Sequence, residues 1–330
     1  MNIALLVGGD SSEREVSLGS ARQVYDALDH SRYNVYFTDV KGVDWHWDAP
    51  DGVRWQVDRN DFSLVPEAGE GERITLDYAL VMIHGTPGED GRMQGYLEMM
   101  GVPFSSCDMV ATVLTFDKLA CKRVVSAAGI PMAADVYIKK GDRVDAVELV
   151  GKLGLPMFVK PNASGSSFGV TKVTSAEQIE EAVQRAFGES DAVLAEEFVA
   201  GREVGCGVLI TAEKEYLFPV TEIIPENDFF DYEAKYTPGK SQEITPGNFS
   251  SEVVDELHRM SREAYRACGC RGIVRVDFIV RPDGVPVMIE INSVPGMSAG
   301  SIVPKQVAAA GLTLGAVIDE VIRDTYFDRR

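Results

Sequence analysis

Gly272-Ile-Val-Arg-Val-Asp-Phe-Ile-Val-Arg-Pro-Asp-Gly-Val-Pro-Val-Met-Ile-Glu-Ile-Asn292 is the stretch whose reading decides the fold. Two β-branched, apolar-rich runs flank Asp283-Gly284, a dipeptide that favours a two-residue hairpin turn. A turn centred there sets Asp277 opposite Glu290 and Arg275 opposite Asn292, all on one face, because strand side chains alternate. Directly opposed carboxylates repel across ~4.5–5.5 Å between Cβ atoms, so such a pair calls for a cation. Two carboxylates and an amide are oxygen ligands, which suit a hard ion such as Mg²⁺ shared with phosphates. A solvated hairpin face with its charges splayed into water is the alternative.

At 330 residues the chain has room for two or three domains. A net charge of −19 argues against nucleic acid or an anionic membrane as the main partner. Met1-Asn-Ile-Ala-Leu-Leu-Val-Gly-Gly9 lacks a basic leader and reads as a buried strand, and no apolar run reaches the ~18 residues of a membrane span. The five cysteines are odd in number and scattered, as expected of reduced thiols in a cytoplasmic protein.

Working outward, residues 1–107 alternate strands and helices, which predicts a parallel sheet covered on both faces. Strands are expected at 2–7, 34–40, 76–83 and 103–105, with helices at 13–28 and 93–100. The stretch 42–75, rich in Trp, Asp, Pro and Gly, reads as loops with at most a short hairpin. Gly8–Ser12 and His84–Gly91 fall at strand carboxyl ends, where ligands gather in such sheets. Ser12-Glu-Arg-Glu15 fits a capping box. From 117 to 198 short strands and helices alternate. Residues 203–223 read as two long antiparallel strands, 225–248 as an irregular segment able to cover a site, and 251–267 and 313–324 as helices. The class is α/β in the first half and α+β in the second.

Lys160-Pro-Asn-Ala-Ser-Gly-Ser-Ser-Phe-Gly169 has the small residues and hydroxyls of a phosphate cradle, with Lys160 as point charge, although a flexible turn has the same composition. Glu196 and Glu203 bracket a turn where carboxylates could meet an adenine edge and a ribose, or simply solvent. His84 at a strand end is as readily structural as functional. Pro295–Ile302 can present backbone N–H groups to an oxyanion or serve as a connector.

In their order, these segments resemble the D-alanine–D-alanine ligases of the ATP-grasp superfamily. The matching runs are Gly-Gly-Asp-Ser-Ser-Glu-Arg-Glu-Val-Ser-Leu (8–18), His-Gly-Thr-Pro-Gly-Glu-Asp-Gly (84–91), Asp-Lys (117–118) and Phe-Val-Lys-Pro-Asn-Ala-Ser-Gly-Ser-Ser (158–167). They continue with Asp-Tyr-Glu-Ala-Lys-Tyr (231–236), Arg-Val-Asp (275–277) and Glu-Ile-Asn-Ser-Val-Pro-Gly-Met (290–297). The resemblance implies an ATP-grasp fold with an N-terminal Rossmann-like domain (1–107), a central subdomain (108–195) and a C-terminal subdomain (196–330). It implies that Lys118, Lys160, Ser164, Gly165 and Ser167 hold the phosphates of ATP, Glu196, Phe198 and Val199 the adenine, Glu203 the ribose, and that Lys235 adds to the nucleotide site. Asp277, Glu290 and Asn292 would hold two Mg²⁺, or Mn²⁺. Glu15, with Ser166 and Tyr236, would hold the first of two D-alanine molecules and tie the lid shut. Arg275 and the Gly296 N–H would stabilise the oxyanion, apart from the metal group, while His84, Ser301 and Lys305 would serve the substrates. A cytoplasmic homodimer follows from the same resemblance.

Three features depart from the family pattern: the long aromatic 42–75 stretch, Gly300, and Glu197 where a lysine is frequent. Ligases joining D-alanine to D-serine or D-lactate are the nearest rivals. An oxidoreductase lacks its G-x-G-x-x-G turn here, and a silent nucleotide-binding protein would not need the complete acidic set.

Overall fold

The computed structural model describes residues 1–67, 71–165, 167–225 and 241–327. The first sheet holds β1 (Asn2–Gly8), β2 (Asn34–Lys41), β3 (Asp44–Asp48), β4 (Arg54–Asp58), β5 (Ser63–Pro66), β6 (Ile74–Thr75) and β7 (Tyr78–Val81), in the order β6-β5-β4-β3-β2-β1-β7. β1 runs parallel to β2 and β7, and α1 (Arg14–Ala27) is the crossover between β1 and β2. All residues of β1 after the first are buried, as a strand covered on both faces requires.

The expected parallel sheet is therefore only three strands wide. Where loops were expected at 42–75, β3 to β6 extend it as an antiparallel meander. The aromatic residues explain this: Trp47 lies opposite Trp55, and Tyr36 meets Trp47 edge-on at 4.9 Å. Cross-strand aromatic pairs stabilise ladders that short turn-rich segments would not hold alone. Conversely, the strand expected at 103–105 is a single bridge, Ala79 to Phe104.

α2 (Arg92–Met99) and α3 (Met109–Phe116) lead to α4 (Lys118–Ala127). Asp108 and Asp117 cap α3 and α4, each side chain accepting a backbone N–H of the first turn. The second sheet is antiparallel, with β8 (Asp135–Lys139), β9 (Met157–Pro161), β10 (Thr171–Val173) and β11 (Ala192–Glu197) ordered β10-β9-β11-β8. α5 (Ala146–Leu153) and α6 (Ile179–Ala186) cover it. Ile179, Ala182, Val183 and Ala186 form the buried stripe of α6, the i, i+3, i+4, i+7 spacing of one helix face.

The third sheet comprises β12 (Arg202–Ile210), β13 (Glu215–Leu217), β14 (Thr221–Pro225), β15 (Ser241–Ile244), β16 (Ile273–Val280) and β17 (Pro286–Asn292), ordered β15-β14-β12-β16-β17 with β13 also on β12. α7 (Ser251–Ala267) and α4 pack on one side, whereas α8 (Ile302–Ala309) contacts β12. α9 (Leu314–Phe327) returns to α1 and helps close the core under β1 and β7. α3 and α8 were not expected. All five cysteines are free and buried. Among the described residues no single helix is long and apolar enough to cross a membrane.

Candidate active site

The hairpin of β16 and β17 carries Asp277 opposite Glu290 and Arg275 opposite Asn292, the pairing read from the sequence, but by another route. The turn is not the two-residue turn expected. Arg281 and Val285 close a three-residue loop, with Gly284 at φ +84°, a conformation that suits glycine. That loop slips the ladder by one residue, so Phe278 faces Met288. A bulge between Asp277 and Phe278 then restores the register at the site. The two irregularities cancel. Val287, Met288, Ile289 and Glu290 at the bulged end of β17 all line one cavity.

That cavity, about 440 Å³, lies between the second and third sheets. It is lined by Lys118, Lys160, Ser164, Gly165, Ser167, Glu196, Phe198, Val199, Glu203, Asp277 and Glu290. Asn292 lies beside it, its side-chain amide donating to Asp277 Oδ2 at 2.9 Å. Lys118 donates to the Ser164 carbonyl at 2.8 Å and sits 3.4 Å from Glu290, so α4 braces the glycine-rich loop against the hairpin. Ser167 adopts φ +60°, a strained conformation that non-glycine residues keep mainly where function requires it.

Glu196 is held more firmly than its exposed-turn alternative suggests. Lys122 reaches one carboxylate oxygen and Lys160 the other, each at 2.5 Å. Burial pushes the Glu196 carboxyl up, but the two ammonium groups outweigh it and hold it below its usual range. Lys122, which sequence reasoning missed, is 2% exposed and also 3.3 Å from Asp135. A lysine one turn after Lys118 on an amphipathic helix carries no signal separating it from a surface residue.

A second cavity of about 260 Å³ opens farther along the same hairpin face, sharing Gly165 with the first. His84, Arg275, Asn292, Gly296 and Ser301 line it, together with Glu13, Glu89 and Glu243. Glu15 does not: it is exposed, and the residue brought to the cavity is Glu13. α1 begins at Arg14, and no capping box forms; Glu13 N–H instead donates to Ser11 Oγ. Two positions along a helix rotate a side chain by roughly 200°, so Glu13 and Glu15 cannot share a face. A Cβ on Gly165 would stand 2.4 Å from Glu13 Oε2, and glycine is what lets the loop approach this carboxylate.

The Arg275 guanidinium grips Asp277 with two hydrogen bonds of 2.8 Å. Arg275 can reach Asp277 because residues i and i+2 share the strand face, as the sequence predicts. Lys305 is likewise not in the cavity lining; its ammonium lies 2.8 Å from Glu243. Ser301 precedes α8 and its Oγ is 2.8 Å from that of Ser298.

Both nitrogens of His84 are taken by the protein. Nδ1 donates to the Val294 carbonyl at 2.9 Å, so Nε2 faces Ser20 Oγ at 3.1 Å as acceptor. Burial lowers its pKa to about 4, which keeps it neutral. Glu89, also unforeseen, accepts from Gly85 N–H at 2.7 Å, and burial, with the charge of Glu13, raises its pKa to about 8. Ser166, Lys235 and Tyr236 lie outside the described residues.

The donor set fits a hard cation. Among the described residues no three His, Cys, Asp or Glu side chains cluster as a complete protein cage; two carboxylates and an amide leave coordination positions for phosphate and water, as Mg²⁺ prefers.

Residues 2–107 match the family model described as D-ala D-ala ligase N-terminus, and residues 124–323 the model of its C-terminus. The chain is 44% identical over 329 residues to a D-alanine–D-alanine ligase of Parabacteroides distasonis, covering 100% of this chain and 98% of that one. Among solved structures it resembles the VanG D-Ala:D-Ser ligase of Enterococcus faecalis, with TM-score 0.86, 30% identity and coverage of 97% and 98%. It also resembles a D-alanine–D-alanine ligase of Bacillus anthracis complexed with ATP, with TM-score 0.79, 26% identity and coverage of 100% and 98%.

Proposed function

The chain belongs to the D-alanine–D-alanine ligase family, and from that premise we propose that it joins its two D-alanine molecules through a D-alanyl phosphate. The product serves peptidoglycan precursor synthesis. The observation that carries the reading is the Arg275–Asp277 clasp, which divides a nucleotide-sized cavity from an amino-acid-sized one.

Lys118 and Lys160, with Ser164, Gly165 and Ser167, bind the phosphates of ATP. The Phe198–Val199 edge and Glu196 receive the adenine, and Glu203 the ribose. Asp277, Glu290 and Asn292 would hold two Mg²⁺, or Mn²⁺, whose chemistry is to neutralise charge spread over the transferring phosphoryl oxygens. Glu13 pairs with the ammonium of the first D-alanine, which leaves its carboxylate to attack the γ-phosphorus and expel ADP. The second D-alanine, its ammonium having given up one proton, then attacks the acyl carbon through its neutral amine, and the second proton leaves as the tetrahedral intermediate collapses. Arg275 and the Gly296 N–H stabilise the resulting oxyanion, and phosphate leaves as the peptide bond forms. Ser301, at the start of α8, receives the second carboxylate, aided by the helix N-terminus. His84 acts through Val294, holding the loop that carries Gly296. Ser166, Lys235 and Tyr236 would serve, as the resemblance implies, to keep water from the acyl phosphate. The three-domain division, a homodimer and a cytoplasmic location belong to the same reading.

Incubating the protein with ATP, Mg²⁺ and D-alanine is expected to give D-alanyl-D-alanine, ADP and phosphate in equal amounts. ATP turnover without dipeptide, or neither product, contradicts the reading. D-Serine as second substrate tests the rival activity that the likeness to VanG raises.

A further inference from the structure

The amino-acid cavity has one charged wall that the proposed mechanism leaves unused. Glu243 stands on β15, the edge strand, in register with Ile223 of β14, Glu203 of β12 and Ile279 of β16. Ile279 shares its strand face with Asp277 and Arg275, so this row continues the face on which the chemistry is placed. The Glu243 side chain is 13% exposed and lines the cavity with Gly296 and Ser301. Lys305 grips it at 2.8 Å from α8, one helical turn beyond Ser301, and is 40% exposed and outside the lining. The charge turned inward is therefore the carboxylate, with the lysine on its outer, more exposed side.

The other charged groups on this cavity have partners or proposed roles. Glu89 accepts from the Gly85 N–H, Glu13 reaches the Gly165 loop, and Arg275 clasps Asp277. Glu243 lines the same cavity as the serine proposed for the second carboxylate. An α-amino acid whose carboxylate sits at Ser301 brings a positive ammonium to this wall. An α-hydroxy acid of the same size brings a neutral hydroxyl and a net negative charge, which a carboxylate wall repels.

We propose that Glu243 is a specificity-determining residue of the second-substrate site and that its own charge selects an α-amino acid over an α-hydroxy acid. The inference rests on the ligase reading above. It distinguishes two groups that a purely structural ion pair would not: loss of Glu243 removes the selection, whereas loss of Lys305 leaves the selecting charge in place.

The test is a competition of D-alanine against D-lactate as second substrate for the full chain, reading the ratio of the two kcat/KM values. In Glu243→Gln the preference for D-alanine is expected to fall about fivefold, the upper end for one partly exposed charge pair. Lys305→Met is expected to retain the wild-type preference within about twofold on the same argument. Thermal melting verifies that each variant folds, and Glu243→Ala gives the same readout if the glutamine variant melts early. Wild-type protein that makes dipeptide, with an unchanged ratio in the Glu243 variants, overturns the inference alone. Equal shifts in the Glu243 and Lys305 variants overturn it as well, since the pair would then be structural. Wild-type protein that makes no dipeptide overturns the ligase reading and this inference together.

Discussion

Glu13 and Glu15 stand two positions apart in one motif, and only the start of a helix separates their fates. In the sequence both are acidic residues beside a glycine turn, and a capping box favours Glu15. The structure starts α1 one residue later than a box would need, which buries Glu13 against Gly165 and leaves Glu15 exposed. Helix starts depend on which backbone N–H groups find partners, and here Ser11 supplied one that composition does not advertise. The expected outcome is a split between neighbours. Glu13→Gln lowers kcat/KM for D-alanine by about 100-fold or more, the scale of losing one charge-assisted contact to a buried ammonium. Glu15→Gln stays within about threefold of wild type, as surface changes usually do. Steady-state kinetics on both variants check this, and equal losses would return the role to Glu15 or remove it from both. Glu197 is a milder instance: where family pattern suggests a nucleotide contact, its carboxylate accepts the Ala134 N–H at 2.8 Å.

The hairpin of β16 and β17 was legible as an element because β-branched runs and a turn dipeptide mark it independently. Its loop length and its bulge were not legible, since neither leaves a trace in alternation, and the site pairing survived because they offset each other. The meander of β3 to β6 was missed because short strands, closely spaced turns and aspartates resemble loop composition, while the Trp–Trp pairing that stabilises them is a cross-strand property. Between elements, Lys122 ties α4 to β8 and β11 through Asp135 and Glu196. Replacing it by Met leaves Asp135 with Arg123 and Glu196 with Lys160, each short of one partner. Removing one member of a buried charge network typically costs about 3–5 kcal/mol, here tempered by the remaining cations. Lys122→Met is therefore expected to lose about 2–4 kcal/mol in urea unfolding and to raise KM for ATP more than KM for D-alanine. An unchanged melting curve, or a selective effect on D-alanine, would argue against the network described.

For the whole molecule, the amino-acid cavity exists only because two distant parts of the chain meet. His84 and Glu89 follow β7 of the first sheet, yet their partners Val294 and Gly296's loop follow β17 of the third. Ser20 of α1 completes the seam, facing His84 Nε2 and accepting the Met297 N–H at 3.0 Å. The motif order in the sequence predicted that these segments cooperate, but not that a neutral histidine holds them together, because burial is what removes its proton affinity. His84 binds a proton at about pH 6.5 when unfolded and only near 4 when folded. A depressed folded pKa means the unfolded chain takes up the proton first, so this contribution is complete above pH 6.5 and is lost as pH falls towards 4. Glu89 runs the other way: its raised pKa, about 8, makes the protein lose stability as pH rises from the carboxylate range through 8. The wild-type pH profile mixes the two, so the decisive quantity is a difference between proteins. His84→Gln keeps a donor for Val294 and cannot ionise. Between pH 7 and pH 4.5 the wild type is expected to lose about 2 kcal/mol more unfolding free energy than this variant, measured by urea titration at both values. Parallel losses in the two proteins would mean that the seam is not closed by an uncharged imidazole.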